Sequence, residues 1–279
     1  MRSRYFRGLS RAGFHRLHYT EWGDPEAPVI VCVHGLTQNA RTFDALATAL
    51  APTRRVVCLN VAGRGRSDRL ADPMAYDYPQ YLADMAVLFA RLDVDTLDFV
   101  GTSMGGIIGM LMAALPGHPI ARLVVNDVGP FIPKEALARI HDYVGRDFRF
   151  ADIGELEAHM RKAYAPFGPL TDAQWRKLAE DAALRGEDGS ISQAYDPAIA
   201  VPVKAALLQD VDLWPFWDRV SCPVLLLRGA GSDLLLAETA AEMQTRGPRT
   251  KLVEFVGVGH APTLLADDQI GAVKDFLGG

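Results

Sequence analysis

Six short apolar runs, separated by segments whose apolar residues recur at helical spacing, narrow the choice of fold more than any other feature of this chain. The runs are Pro28–Gly35 (PVIVCVHG), Arg54–Gly63 (RRVVCLNVAG), Thr96–Ser103 (TLDFVGTS), Ile120–Gly129 (IARLVVNDVG), Cys222–Ala230 (CPVLLLRGA) and Lys251–Gly259 (KLVEFVGVG). Between the second and third, Tyr81–Leu92 (YLADMAVLFARL) repeats with a period near 3.6. Strands alternating with helices in this way predict an α/β fold, a mostly parallel central sheet flanked by helices. Tyr5 to Gly23 is expected to add one or two leading antiparallel strands.

The rhythm breaks once. From about Phe131 to Val220 there is almost no strand signal, only amphipathic stretches such as KEALARIHDYV, IGELEAHMRKAY and TDAQWRKLAEDAAL. Residues 1–130 and 221–279 are therefore expected to form one core domain, with 131–220 as an all-helical cap inserted before the last two strands. A chain of 279 residues, 49% of them hydrophobic, is long enough to bury a large core. Its net charge of -5 gives no electrostatic footprint for nucleic acid or an anionic membrane, so a small molecule is the expected partner. Cys32, Cys58 and Cys222 lie in strand-like runs without paired spacing, which predicts buried thiols rather than a disulfide framework or a zinc site. The basic N-terminus lacks the apolar segment of a secretory signal, and no run has the length of a membrane span. A cytoplasmic monomer or homodimer, without cofactor or metal, is the expectation.

The sequence GTSMGG places Ser103 between glycines, after a strand-like run and before a helical one. That context turns a G-x-S-x-G pattern into a candidate nucleophile elbow, because small neighbours relieve crowding at a tight turn. Acyl transfer also needs a base, a group that orients the base, and donors for the oxyanion. His260 ends the last strand-like run and is the candidate base. Asp233, in RGAGSDLL, and Asp127, in VVNDVGP, compete to orient it. Asp233 follows the penultimate strand and is the expected acid, in the chain order Ser, Asp, His; Asp127 is then expected to cap a loop or helix. Backbone N–H groups of Leu36 and Met104 are the candidate oxyanion donors, with Gly35 keeping a Cβ out of the way and His34 a structural ring. His15, His18, His118, His141 and His159 are expected to be packed or solvated.

On these residues the chain resembles the α/β-hydrolase superfamily, in the group with a helical cap, over essentially its whole length. The resemblance rests on His34-Gly35, on GRGRSD from Gly63 to Asp68, on GTSMGG from Gly101 to Gly106, on Ser232-Asp233 and on Gly259-His260. Asn60 and Arg64 stand where the family usually has Asp and His, in a loop expected to be structural. The resemblance implies hydrolysis rather than dehalogenation or epoxide opening, since those members carry an aspartate at the elbow. A carboxylic ester hydrolase acting on a small to medium apolar acyl substrate is the expected activity. Enol-lactone or carbon–carbon bond hydrolysis is an alternative, and a non-catalytic receptor for small molecules is another.

The cap carries Trp175, Trp214 and Trp217 together with Phe148, Phe150, Tyr164, Phe167 and Phe216. These residues suit either an apolar substrate pocket or a small core of the cap's own. Trp214 and Phe216, near the return to the sheet, are the candidate substrate-binding residues. Arg146, Arg149 and Arg161 would suit a substrate carboxylate, but a solvated helix face is the preferred reading.

Overall fold

The computed structural model describes residues 1–278. It opens with a hairpin of β1 (Arg2–Ser10) and β2 (Gly13–Trp22), turned by Arg11 and Ala12. There follow β3 (Val29–Val33), α1 (Asp44–Leu50), β4 (Arg55–Asn60), α2 (Tyr78–Leu92), β5 (Leu97–Thr102), α3 (Met104–Ala113) and β6 (Ile120–Asn126). A long excursion comes next: β7 (Phe131–Ile132), α4 (Lys134–Tyr143), α5 (Ile153–Ala163), α6 (Asp172–Ala182), β8 (Ala183–Arg185), β9 (Ile191–Gln193), α7 (Ala200–Ala205), β10 (Val211–Asp212) and α8 (Trp214–Trp217). The chain then returns as β11 (Val224–Gly229), α9 (Ala237–Thr245), β12 (Thr250–Phe255) and α10 (Asp267–Leu277).

Eight strands form the central sheet in the order β1-β2-β4-β3-β5-β6-β11-β12. β4 through β12 run parallel, and the hairpin lies antiparallel at one edge. All residues of β3, β5 and β11 are buried, as strands covered on both faces require. α2 shows how its sequence dictates its seat. Asp77 caps it by accepting from the Gln80 N–H, and Tyr81, Met85, Leu88, Phe89 and Leu92 form the buried stripe. α3 has no polar face; every residue from Met104 to Ala113 is buried, so the helix runs through the core.

The chain passes from β3 to β4 on one side and then crosses to β5 on the other. That reversal leaves a crevice beyond the C-terminal ends of β3 and β5, where open α/β sheets bind ligands. Gly35 follows β3 there and Ser103 follows β5.

The excursion is not all-helical as expected. β7 pairs with β10, and β8 with β9, in two small antiparallel ribbons. Strands of two or three residues are too short to show a period of two, and the β8–β9 turn hides in the polar sequence Gly186–Ser190. Asp188 supports that turn by accepting from the N–H and hydroxyl of Ser190. Leu156, Met160, Phe167, Trp175, Leu178, Ala179 and Ile191 form an apolar cluster separate from those on the two faces of the sheet.

Candidate active site

The glycines around Ser103 answer a steric demand. A Cβ at Gly101 would lie 2.2 Å from the Gly105 carbonyl oxygen, and one at Gly105 would lie 2.0 Å from that of Val33. Only glycine lets α3 start this close to β3 and β5. The turn forces Ser103 to φ 53°, a region that non-glycine residues seldom enter, and so lifts its hydroxyl out of the sheet edge. Its N–H donates to the Asn126 carbonyl at 2.9 Å, which locks the strained residue to β6. Ser103 is also the N-cap of α3 but makes no side-chain cap bond, so its Oγ is free for other work.

That hydroxyl donates to His260 Nε2 at 3.0 Å, and His260 Nδ1–H donates to Asp127 Oδ2 at 2.8 Å. Asp127 is fully buried and sits at φ 58° just beyond β6. Its Oδ1 accepts from the Gly229 N–H at 2.8 Å, and its Oδ2 accepts a further bond from the Ser232 hydroxyl at 2.6 Å. Three donors therefore surround one carboxylate and hold it in one orientation.

Asp233, the expected acid, is not part of this chain of bonds. Its carboxylate is half exposed and forms a two-pronged ion pair with Arg139 of α4, at 2.6 and 3.0 Å. The residue before it does the local work, since the Ser232 side chain points inward to Asp127 while Asp233 points away. Chain order could not separate the two acids, because both lie between Ser103 and His260.

The remaining parts gather at the crevice. Leu36 and Met104 both border Ser103 in the same cavity. The Met104 N–H belongs to the first turn of α3, where helical N–H groups lack intrahelical partners and the dipole favours negative charge. His34 is fully buried, and burial lowers its pKa to about 3. Its Nδ1–H donates to the Gly35 carbonyl at 2.7 Å and its Nε2 accepts from the Val61 N–H at 3.1 Å, so this neutral ring braces the loop after β3.

Arg64 braces the same loop, a part that its place in a loop expected to be merely structural did not reveal. Its side chain is 1% exposed and has no carboxylate within ion-pairing distance among the described residues. Nε donates to the Leu36 carbonyl at 3.0 Å, Nη1 to Ala62 O and Tyr81 Oη, and Nη2 lies 3.6 Å from Met104 Sδ. The flanking backbone meets the excursion: Gly65 N–H donates to Ala194 O and Asp196 N–H to Gly63 O, each at 2.7 Å. Tyr76 Oη adds a bond to Asp196 at 2.7 Å.

Two cavities meet at Ser103. One, of about 430 Å³, is walled by apolar residues, among them Ile107, Ile132, Leu137, Ile140, Val203 and Leu234. The other, of about 580 Å³, is bordered by Arg139, Arg146, Tyr164, Gln193, Tyr195 and His260. Trp214 and Phe216, expected to bind substrate, border neither. Trp214 is buried under the Arg246 guanidinium and Phe216 lies against that of Arg219, because α8 packs toward α3 rather than toward the crevice. Of the aromatics singled out at 131–220, Phe148, Tyr164 and Phe167 border a cavity instead, and His141 and His159 each reach a cavity wall.

A buried carboxylate, an imidazole and a hydroxyl in one line, with helix N–H groups beside them, can carry out nucleophilic acyl transfer. An eight-stranded sheet with this arrangement at its switch point defines a hydrolase of the α/β class. Residues 30–273 match the model of the alpha/beta hydrolase family, and the chain belongs to that family. It is 46% identical to a 3-hydroxybutyrate-oligomer hydrolase of Cupriavidus necator, over 97% of this chain and 96% of that one. A crystal structure of an alpha/beta hydrolase from Novosphingobium aromaticivorans superposes with a TM-score of 0.89 at 40% identity, covering 99% and 98% of the two chains. More distantly, 90% of the chain aligns with 88% of a 2-(acetamidomethylene)succinate hydrolase of Mesorhizobium japonicum at 26% identity.

Proposed function

We propose that this hydrolase cleaves carboxylic esters with Ser103 as nucleophile, His260 as general base and acid, and Asp127 as the acid that orients His260. Short oligomers of 3-hydroxybutyrate are the proposed substrates. The observation that carries the reading is the unbroken series of bonds from Ser103 Oγ through His260 to Asp127. The similarity to a hydrolase of such oligomers along nearly the full chain supports the substrate class.

His260 Nε2 takes the proton of Ser103 as Oγ adds to the ester carbonyl, and Asp127 stabilises the imidazolium that results. The N–H groups of Leu36 and Met104 receive the oxyanion. Collapse of the tetrahedral intermediate sends the proton from His260 to the leaving alcohol, and water then releases the acyl group by the same steps in reverse. Residues 131–220 act as a cap that walls the cavities and limits water. Three free, buried cysteines fit a reducing compartment such as the cytoplasm.

The test is incubation of the purified protein with 3-hydroxybutyrate dimer and trimer, with monomer measured by chromatography. Steady release that is absent in Ser103→Ala is expected. Turnover of a vinylogous diketone but of no ester would point to carbon–carbon bond hydrolysis instead and overturn the proposal.

A further inference from the structure

The two cavities at Ser103 differ in chemistry as well as in position. His260 borders the larger cavity, whose wall carries Arg139, Arg146 and Gln193 within a mostly apolar surface, and does not border the apolar one. Because His260 must hand its proton to the departing alkoxide oxygen, the leaving group has to lie on the His260 side. The acyl group, bonded to Ser103 Oγ, is then left to the apolar cavity.

The cavity beside His260 also carries, at its exposed rim, a cation without a carboxylate partner among the described residues. Arg139 is engaged by Asp233 through both carboxylate oxygens. Arg146 has no carboxylate within ion-pairing distance among the described residues, although the protein carries a net charge of -5. It stands where this cavity opens into an adjoining cleft, flanked by Phe148, Gln193 and Tyr195, which border both spaces.

We propose that Arg146 receives the terminal carboxylate of the leaving hydroxyacid, so that the enzyme cuts an oligoester at the ester bond next to its free carboxyl end. This rests on the ester-hydrolase reading above and adds a direction to it. In the first step the Ser103 Oγ–carbonyl bond forms and the carbonyl–alkoxy bond breaks. The Ser103 proton passes through His260 to the alkoxy oxygen, and one hydroxyacid monomer departs with its carboxylate on Arg146. Leu207 and Leu208, exposed at the apolar cavity, leave room for the remaining acyl chain to continue outward.

The test compares 3-hydroxybutyrate trimer as the free acid with its methyl ester, in the wild type and in Arg146→Met. The ratio of the two kcat/KM values is the readout, since it cancels any general loss of activity. A charge-assisted bond to carboxylate predicts about a tenfold or greater preference for the free acid, lost in Arg146→Met through KM. A trimer acetylated at its hydroxyl end should release unacetylated monomer first. The Ki of 3-hydroxybutyrate against p-nitrophenyl butyrate hydrolysis, expected to rise by a similar factor in the variant, needs no oligomer substrate. If oligomers are not cleaved, the substrate reading fails while this Ki still decides the anchor. Equal turnover of acid and methyl ester by the wild type, or an unchanged Ki in Arg146→Met, would overturn the proposal.

Discussion

Replacing Asp127 with Asn tests the identity of the acid through the donors that surround it. The wild-type carboxylate accepts from Gly229 N–H on Oδ1 and from His260 Nδ1–H and Ser232 on Oδ2. An asparagine has one oxygen for these two sides. If the oxygen stays with Gly229, the amide NH₂ faces His260 Nδ1, which must then accept, and the imidazole proton moves to Nε2. That tautomer cannot take a proton from Ser103. If the amide turns over, the tautomer is rescued but the buried Gly229 N–H loses its acceptor, at about 1–3 kcal/mol. The unproductive tautomer is therefore favoured, and by analogy with other triads kcat should fall by about 10⁴, or roughly 5.5 kcal/mol of barrier. Asp233→Asn removes a half-exposed ion pair, worth at most about 1 kcal/mol, and touches no reacting group. With p-nitrophenyl butyrate, which places no carboxylate near Arg139, its kcat should stay within about threefold of wild type. Folding of both variants is checked by circular dichroism. A large loss in Asp233→Asn beside a mild one in Asp127→Asn would refute the reasoning.

Ser103→Ala should lose kcat by about 10³-fold or more together with labelling by a fluorophosphonate, while melting like the wild type; turnover near the wild-type rate would remove Ser103 as nucleophile. Gly105→Ala should cost about 3 kcal/mol in urea unfolding, because the new Cβ meets Val33 O with no side chain able to give way; a wild-type midpoint would contradict the packing described. Burial, with Arg66 and Arg16 nearby, lowers the pKa of His18 from 6.5 to about 4. Its Nδ1 accepts from Asn60 Nδ2, whose amide is fixed by the Ala40 N–H on Oδ1. The unfolded chain thus binds this proton more readily, so stability is complete above pH 6.5 and falls as pH drops toward 4. His18→Gln should make the urea midpoint fall less steeply over that window, to which His34 also contributes; an unchanged slope would refute the assignment.

The parallel sheet, the tight turn at Ser103 and the placing of His260 beside it were legible because each is a local signal: an apolar run, a glycine-rich turn, a histidine after a strand. The acid was not. Asp127 and Asp233 both follow strands and both fall between Ser103 and His260, and choosing between them needs the sheet order. β6 lies directly beside β5, so the turn after it faces the elbow, and Asp127 enters a left-handed conformation to present its carboxylate there. Trp214 and Phe216 failed for a related reason. Aromatic content says that a face is apolar, not which neighbour it meets, and α8 meets α3. Arg64 occupies a position that departs from the family's usual residue. Its meaning lies in the carbonyl and sulfur atoms of Leu36 and Met104, brought together from β3 and α3.

The seam beside Arg64 bears on how the molecule comes apart. Residues 131–220 have an apolar cluster of their own and, on that ground alone, would melt as a separate unit. The backbone bonds from Gly63 and Gly65 to 194–196, with the Tyr76–Asp196 bond, tie the segment that follows that cluster to the loop whose Arg64 also braces Leu36 and Met104. Loosening residues 131–220 along this seam therefore disorders the sheet edge around Ser103 at the same moment. Heat should extinguish activity and structure in a single cooperative transition, with no active, uncapped core left behind.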